Sequence, residues 1–369
     1  KRLHPHADKS IRNISPKMPE EILRLFMPSK IRKSRRVVNR PQGPDNRVMG
    51  KREQRFYSYS NYLENRYKEK AYRVAVDAGF SCPNRGVDRS RPGCSYCDEY
   101  GAQAVYQDGA GRQFFDRESI RYQINRGVRF MKDRYNAELF LLYFQAFSST
   151  WAPVEKLKEI YDFCLGLHQF RELIVSTRPD CIDAETAALL ASYKQKDLDV
   201  WVELGLQSAS NNTLRKINRG HTVENFIEAS EILHAHGIQQ TAHVIFGLPD
   251  EKWEDMRKTL SVSVDTGMKG IKIHNLHVTK GAPMYRDYLQ GELAVPSDRR
   301  HLDYVIRALE VLPPETVIHR VTTDTPPHRL AAPLPFWPKG RFYHELRSEM
   351  QRRDTWQGRL YDGTPKRNS

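Results

Sequence analysis

From Tyr72 onward, short apolar runs alternate with longer stretches whose apolar residues recur every three or four positions. The first run, Tyr72-Arg-Val-Ala-Val76, alternates as a strand does and leads into a loop rich in Gly, Pro and Cys. Residues 117–135 then place Ile120, Ile124, Val128 and Met131 on one face, the spacing of an amphipathic helix. Glu138-Leu-Phe-Leu-Leu-Tyr-Phe144 is almost continuously apolar, as a strand covered on both faces is. Further helices are predicted over 154–167, 185–193, 223–236 and 253–266, and further strands over 172–176, 199–203, 240–246 and 270–274. Strands alternating with helices read as parallel βαβ units. Six in a row predict an α/β fold, a partial (β/α)6 barrel, whose ligands belong at the carboxyl ends of the strands.

Each of those ends carries chemistry. The first strand runs into Cys82, Cys94 and Cys97, and the second into Gln145-Ala-Phe-Ser-Ser-Thr150. The third meets Thr177-Arg-Pro-Asp180, the fourth Glu203-Leu-Gly-Leu-Gln-Ser208, the fifth Gly247-Leu-Pro249 and the sixth His274-Asn-Leu-His277. Three thiolates can hold three irons of a [4Fe–4S] cube and leave the fourth open to a small molecule. Zinc is the rival, but a closed zinc site takes four ligands and no histidine lies between Cys82 and Cys97. A group of ordinary thiols is the third reading. An odd, clustered trio argues against disulfides and for a reducing compartment. Cys164 and Cys181 stand apart and read as ordinary thiols.

Charge changes the picture at the ends of the chain. The net charge is +14, and residues 1–55 hold 16 Lys/Arg against 5 Asp/Glu, which is +11. Residues 339–369 hold 8 against 4, or +4, which leaves the body at −1. Basic ends on a neutral body suit a polyanion such as RNA, or serve as solvated tails. Six prolines interrupt residues 1–50, leaving at most one short helix over 20–26, and the densest charge run is Lys30-Ile-Arg-Lys-Ser-Arg-Arg36. The stretch Phe56-Tyr-Ser-Tyr-Ser-Asn-Tyr62 can stack bases or pack the arm onto the body. The division expected is a basic extension over 1–55, the barrel over 56–290, and a C-terminal cover with a basic tail over 291–369. The longest apolar run, 139–147, is strand-sized, and a soluble, cytoplasmic protein without a membrane partner is expected.

Taken in order, these motifs resemble the radical S-adenosylmethionine (SAM) superfamily, and within it the branch related to the elongator catalytic subunit. The resemblance runs from about residue 59 to 358. It rests on the cysteine trio, 145–150, 177–180, 203–208, Asn218-Arg-Gly-His221 and Arg353-Asp-Thr-Trp-Gln-Gly358. Eleven residues separate Cys82 from Cys94, where the superfamily commonly has three; the elongator-like branch also lengthens this gap.

The resemblance implies a [4Fe–4S] cluster on Cys82, Cys94 and Cys97, with SAM on the open iron and a 5′-deoxyadenosyl radical as the product of its reductive cleavage. It implies that Tyr96 packs near the adenine and that Gln145, Ser148 and Ser149 meet the methionine amino group. Arg178 and Arg219 are then candidates for the carboxylate (Arg178 also for the ribose), Glu203 and Gln207 for the ribose hydroxyls, and the backbone of Gly247 for the adenine flank. Plainer roles exist: Arg178 as a bridge between loops, Glu203 paired with a lysine, and Ser148 to Thr150 capping a helix. Substrate candidates are His274, His277, His319, Arg320 and Asp324; His274 and His277, three apart, fall on opposite faces of a strand. The implied partners are a tRNA and an electron donor such as flavodoxin or ferredoxin. The implied reaction is modification of a wobble uridine, from carboxymethylaminomethyl to aminomethyl. A radical SAM oxidoreductase acting on a small molecule or protein is one alternative. An inactive, cluster- or zinc-stabilised RNA-binding protein is the other.

Overall fold

The computed structural model describes residues 54–98, 116–195 and 197–363. The arm expected over 1–50, with its helix at 20–26 and its basic run, lies outside them, as do residues 364–369. In chain order the elements are α1 (Tyr59–Tyr67), β1 (Ala71–Val76), α2 (Arg117–Tyr135), β2 (Leu139–Phe144), α3 (Val154–Leu165), β3 (Glu172–Thr177) and α4 (Ala184–Ser192). Then come β4 (Asp199–Gln207), α5 (Asn211–Lys216), α6 (Val223–Ala235), β5 (Gln239–Phe246), α7 (Trp253–Asp265) and β6 (Gly270–Asn275). The chain continues through β7 (Val278–Thr279), α8 (Met284–Leu289), α9 (Asp298–Val311), β8 (Val317–Arg320), β9 (Leu330–Ala332) and α10 (Lys339–Arg352). Side-chain caps start the helices locally: Asp116, Asp183 and Ser297 each accept from a backbone N–H of the first turn, and Thr222 closes a capping box with Asn225.

The main sheet runs β1-β2-β3-β4-β5-β6-β8 and every pair is parallel. It curls into a partial barrel with helices on its outer face. The six expected strands are present, and β8 adds a seventh. Its four residues, two of them polar, carry too little pattern to be seen in the sequence. Across the opening, Arg73 of β1 meets His319 of β8, NH2 to Nδ1 at 2.9 Å. The segment after β6 also supplies α9 and α10, whose Val305, Ile306, Leu309, Phe342, Leu346 and Met350 belong to the same apolar core as the barrel strands.

At the amino-terminal end of the strands α1 closes the barrel. Ser58 accepts from the Asn61 N–H to start it, and Lys68 ends it in the left-handed region at φ 63°. Tyr59 and Tyr62 turn inward onto Trp201, so this aromatic stretch packs the barrel and those two rings are not available to stack bases. Tyr59 donates to Glu172, the Tyr67 hydroxyl lies 3.1 Å from Glu172 Oε1 and 2.9 Å from Asp199 Oδ2, and Arg66 forks onto Asp199 at 2.9 and 3.0 Å. Burial pushes the Glu172 carboxyl up to about 7 against these donors.

Candidate active site at the carboxyl end of the barrel

The loop leaving β1 folds tightly around its cysteines. The N–H groups of Arg85 and Gly86 both donate to the Cys82 carbonyl at 3.0 Å. The Arg85 guanidinium donates to the carbonyls of Cys97 (2.9 Å) and Asp98 (2.7 Å). Arg329, from beyond β8, pairs with Asp98. Cys94 is buried, and its sulfur lies 3.4 Å from Asn84 Nδ2 and 3.6 Å from Arg219 NH1. Burial alone would raise the Cys94 thiol, but Arg219 and Arg178 outweigh it and hold the group below its ordinary value. Cys97 has burial and the neighbouring Cys94 against it, and is pushed up to about 12.

The loop after α5 explains Asn218-Arg-Gly-His221 as one device. Asn218 donates to the Gly93 carbonyl (2.7 Å), fastening the cysteine loop from the other side. Gly220, at φ +78°, leaves room for Asn84, which donates to the carbonyls of Asn218 and Arg219. Arg219 donates through NH2 to the Gly205 carbonyl (3.1 Å) and through Nε to His221 Nε2 (2.9 Å). His221 Nδ1 then carries the proton and donates to the Thr222 carbonyl (3.1 Å), a tautomer assigned from this network. Burial first, then Arg219, hold His221 down at about 3.

The other expected SAM contacts line the same rim. Ser148 Oγ lies 2.8 Å from Thr177 Oγ1, and Thr150 Oγ1 donates to the Cys181 carbonyl (2.7 Å). The Ser149 N–H donates to the Ser176 carbonyl (3.0 Å), and half-buried Gln145 begins the turn. These residues join the β2 and β3 ends and do not cap α3, whose cap position is Pro153. Arg178 is committed to Asp180 (2.8 and 2.7 Å) and to the Arg219 carbonyl (2.7 Å), which makes it a bridge between loops. Gln207 closes β4 at φ 69°, and its Oε1 is buried without a partner among the described residues. Gly247, at φ +85°, leaves the space that Pro296 fills. Tyr96 packs on the cluster formed by Leu214, Ile217, Leu248 and Met284.

Below the rim, polar side chains fill the barrel. Glu203 Oε2 accepts from Tyr143 (2.6 Å), Ser176 (3.0 Å) and Lys272 (2.7 Å), and Arg73 lies 3.0 Å from Oε1. Burial would raise this carboxyl, but Lys272, Arg73 and His319 hold it well below the usual range. His319 stacks on Tyr59 and meets Arg73 and Thr241, deep in the barrel. His274 packs against His243 of β5 with ring centres 4.0 Å apart and the rings tilted by 52°. His277 lies past the end of β6, tied to Thr325 (2.8 Å), so the opposite-face expectation does not apply to it. Asp324 stands near Lys339 and Tyr343, whose protons feel its charge.

Residues 82–262 match the family model for the radical SAM superfamily, and 268–352 match its C-terminal domain. The chain is 33% identical to the uncharacterised protein YtqA of Bacillus subtilis over 84% of this chain and 94% of that one. This chain belongs to the radical SAM superfamily. It is also 28% identical to the tRNA uridine(34) acetyltransferase of Methanocaldococcus infernus over 43% of this chain and 30% of that one. Among solved structures, the Elp3 of that archaeon, with residues 1–46 deleted, shares the fold at a TM-score of 0.57 and 18% identity, over 78% of this chain and 64% of that one.

Radical SAM enzymes use a [4Fe–4S] cluster and SAM, and the residues here fit both. A cube takes one thiolate per iron, and three cysteines share the loop after β1. No histidine, aspartate or glutamate is gathered with them into a group of three or more ligands among the described residues. Two N–H donors already face the Cys94 sulfur, and the orphaned Gln207 oxygen is an acceptor waiting at the rim. The sequence reading missed Arg73, Tyr143, His243 and Lys272. The available signal was a polar residue at an inward position of an apolar strand, plainest in Gly270-Ile-Lys-Ile-His274.

Proposed function

We propose that this radical SAM enzyme acts on tRNA and converts the carboxymethylaminomethyl side chain of a wobble uridine to aminomethyl. Cys82, Cys94 and Cys97 hold the cluster, and the rim from Gln145 to Gly247 holds SAM. With both bound and one electron supplied, the site would gain a 5′-deoxyadenosyl radical able to abstract hydrogen from the carboxymethyl carbon. Return of one electron from that carbon to the cluster and loss of a proton would leave an imine, which water would hydrolyse to the aminomethyl group and glyoxylate. The chain's own residues orient and enclose. Arg219, aimed by His221, faces Cys94; Gln207 offers its free oxygen to a hydroxyl; the Glu203 network fixes the strands beneath.

The observation that carries the RNA substrate is the similarity to a tRNA uridine(34) acetyltransferase. The charge of residues 1–55, +11, supports it, because Lys and Arg bind phosphates by releasing counterions. In this reading 1–55 is the RNA arm, 56–290 the catalytic barrel, and 291–369 the C-terminal portion, whose β8 completes the barrel sheet. The enzyme works in the cytoplasm with a flavodoxin or ferredoxin as donor. No helix among the described residues is long and apolar enough to cross a membrane.

The test is anaerobic reconstitution of wild type and Cys94→Ala, reduction, and addition of SAM with tRNA bearing the carboxymethylaminomethyl group. Wild type should release 5′-deoxyadenosine and shorten the side chain by mass, and the variant should do neither. Deoxyadenosine without any change in the tRNA would refute the substrate. No deoxyadenosine from cluster-loaded wild type would refute the cofactor assignment.

A further inference from the structure

A cationic pole stands inside the barrel that none of the cofactor roles uses. β6 presents Lys272 and then His274, β5 presents His243, and β8 ends in Arg320. In a regular strand Arg320 would face away, because its neighbour His319 already points inward. The pairing of β6 with β8 shifts between Ile271 and Lys272, so that Lys272 stands opposite Arg320. A bulge of this kind re-aims a side chain, bringing two successive residues to one face. The charge of Arg320 accordingly reaches Lys272, His243 and His274.

Glu203 is the one carboxylate paired with this pole among the described residues, and it is shared between Lys272 and Arg73. Arg320 is half-buried, and its guanidinium makes no hydrogen bond or ion pair among the described residues. The Nε2 atoms of His243 and His274 are buried and unpartnered there. Lys272 and Arg73 share Glu203, which already takes Tyr143 and Ser176 as well. Burial pushes Lys272 down to about 7 against the pull of Glu203, and Arg320 and Arg73 add to the push. Positive charge gathered in excess of its one shared carboxylate is costly, and an arriving anion lowers that cost.

We propose that Arg320, Lys272, His243 and His274 form a subsite for a carboxylate carried by the substrate. The proposal rests on the wobble-uridine reading, in which the side chain ends in a carboxymethyl group. A planar carboxylate matches the guanidinium fork. Nε2–H of a neutral imidazole donates to it without adding charge. An RNA phosphate is flanked by ribose on both sides, whereas the carboxymethyl group is the free end of its side chain.

The test uses the reconstituted full chain with SAM bound, as wild type and Arg320→Gln. Two pairs of probes are titrated. The first is an anticodon stem-loop carrying carboxymethylaminomethyl-uridine or aminomethyl-uridine, followed by fluorescence anisotropy. The second is N-benzylglycine or benzylamine, followed by calorimetry. Wild type should prefer the carboxylate member of each pair by about 10- to 100-fold, the worth of one charge-assisted hydrogen bond. Arg320→Gln should abolish the preference and leave the affinity for the amine member and for SAM unchanged. Absence of a preference in both pairs overturns the subsite, as does a preference that survives in Arg320→Gln. A parallel loss of SAM affinity assigns the pole to the cofactor carboxylate and overturns it too. If the stem-loop is not processed while N-benzylglycine still depends on Arg320, the substrate reading falls and the subsite stands. If the stem-loop is processed with no dependence on Arg320, the reverse holds.

Discussion

Asn84 lies against the backbone of Gly220, its Nδ2 donating to the carbonyls of Asn218 (2.6 Å) and Arg219 (2.9 Å) while reaching the Cys94 sulfur at 3.4 Å. Docking of the cysteine loop thus runs through a single amide that also lies against the Cys94 sulfur. A methyl group at residue 220 would collide with that amide, on a backbone at φ +78°. Left-handed backbone costs a side-chain-bearing residue about 1–2 kcal/mol, and each hydrogen bond lost from Asn84 adds about 1 kcal/mol. Gly220→Ala should therefore keep its far-UV circular dichroism and load clearly less iron and sulfide on reconstitution. Full loading would show that Asn84 has no part in holding the loop.

His221 acts on the same loop through Arg219. It must be neutral to accept from Arg219 Nε, and it is held at about 3, far below the ordinary histidine value. A depressed folded pKa contributes stability that is complete above the unfolded value of about 6.5 and is lost as pH falls towards 3. The advantage of wild type over His221→Phe should be greatest above pH 6.5. It should shrink on acidification by up to about 1.4 kcal/mol per pH unit. Urea unfolding at pH 5, 6, 7 and 8 measures it, and a difference that grows on acidification would contradict the neutral tautomer.

The strands were legible because a parallel sheet covered on both faces needs nearly unbroken apolar runs such as 139–144, and because Gly, Pro and Ser/Thr mark where each run stops. The rim motifs were legible for the same reason, each standing just after such a run. β8 was not: Val-Ile-His-Arg is short, and its place beside β6 depends on a crossover through α9. The barrel interior was hidden for another reason. Lys272, Arg73 and Glu203 sit on strands β6, β1 and β4, and their meeting depends on the curl of the sheet. Glu203 was expected at the ribose or paired with a lysine, and the lysine it meets lies 69 residues away.

That meeting sets an order of mutational costs. Removing Glu203 leaves Arg73 and Lys272 facing each other without a counter-charge, and breaking a buried pair in this way costs about 3–5 kcal/mol. Removing Lys272 leaves Glu203 with Arg73, Tyr143 and Ser176, so the loss is closer to one charged hydrogen bond, about 1.5–3 kcal/mol. Glu203→Gln should lower the urea midpoint more than Lys272→Met does, and the double variant should be more stable than Glu203→Gln alone. The opposite order would mean that Arg73 does not hold the carboxylate.

Glu172 has the opposite pH signature to His221. Burial lifts its folded pKa from an ordinary 4.5 to about 7, despite Tyr59, Tyr67 and Arg73. A raised folded pKa contributes stability that is complete below the unfolded value and is lost as pH rises through the folded one. Between pH about 4.5 and about 7 the unfolded chain releases a proton that the folded barrel retains. Above that range the fold must hold a charge at the closed end of the barrel. The shift corresponds to about 3 kcal/mol. Glu172→Gln carries no such charge, so wild type should lose stability relative to it by roughly that amount between pH 4.5 and 8. A constant difference in urea unfolding free energy across that range would show that Glu172 is ionised throughout and that the tyrosine donors outweigh its burial.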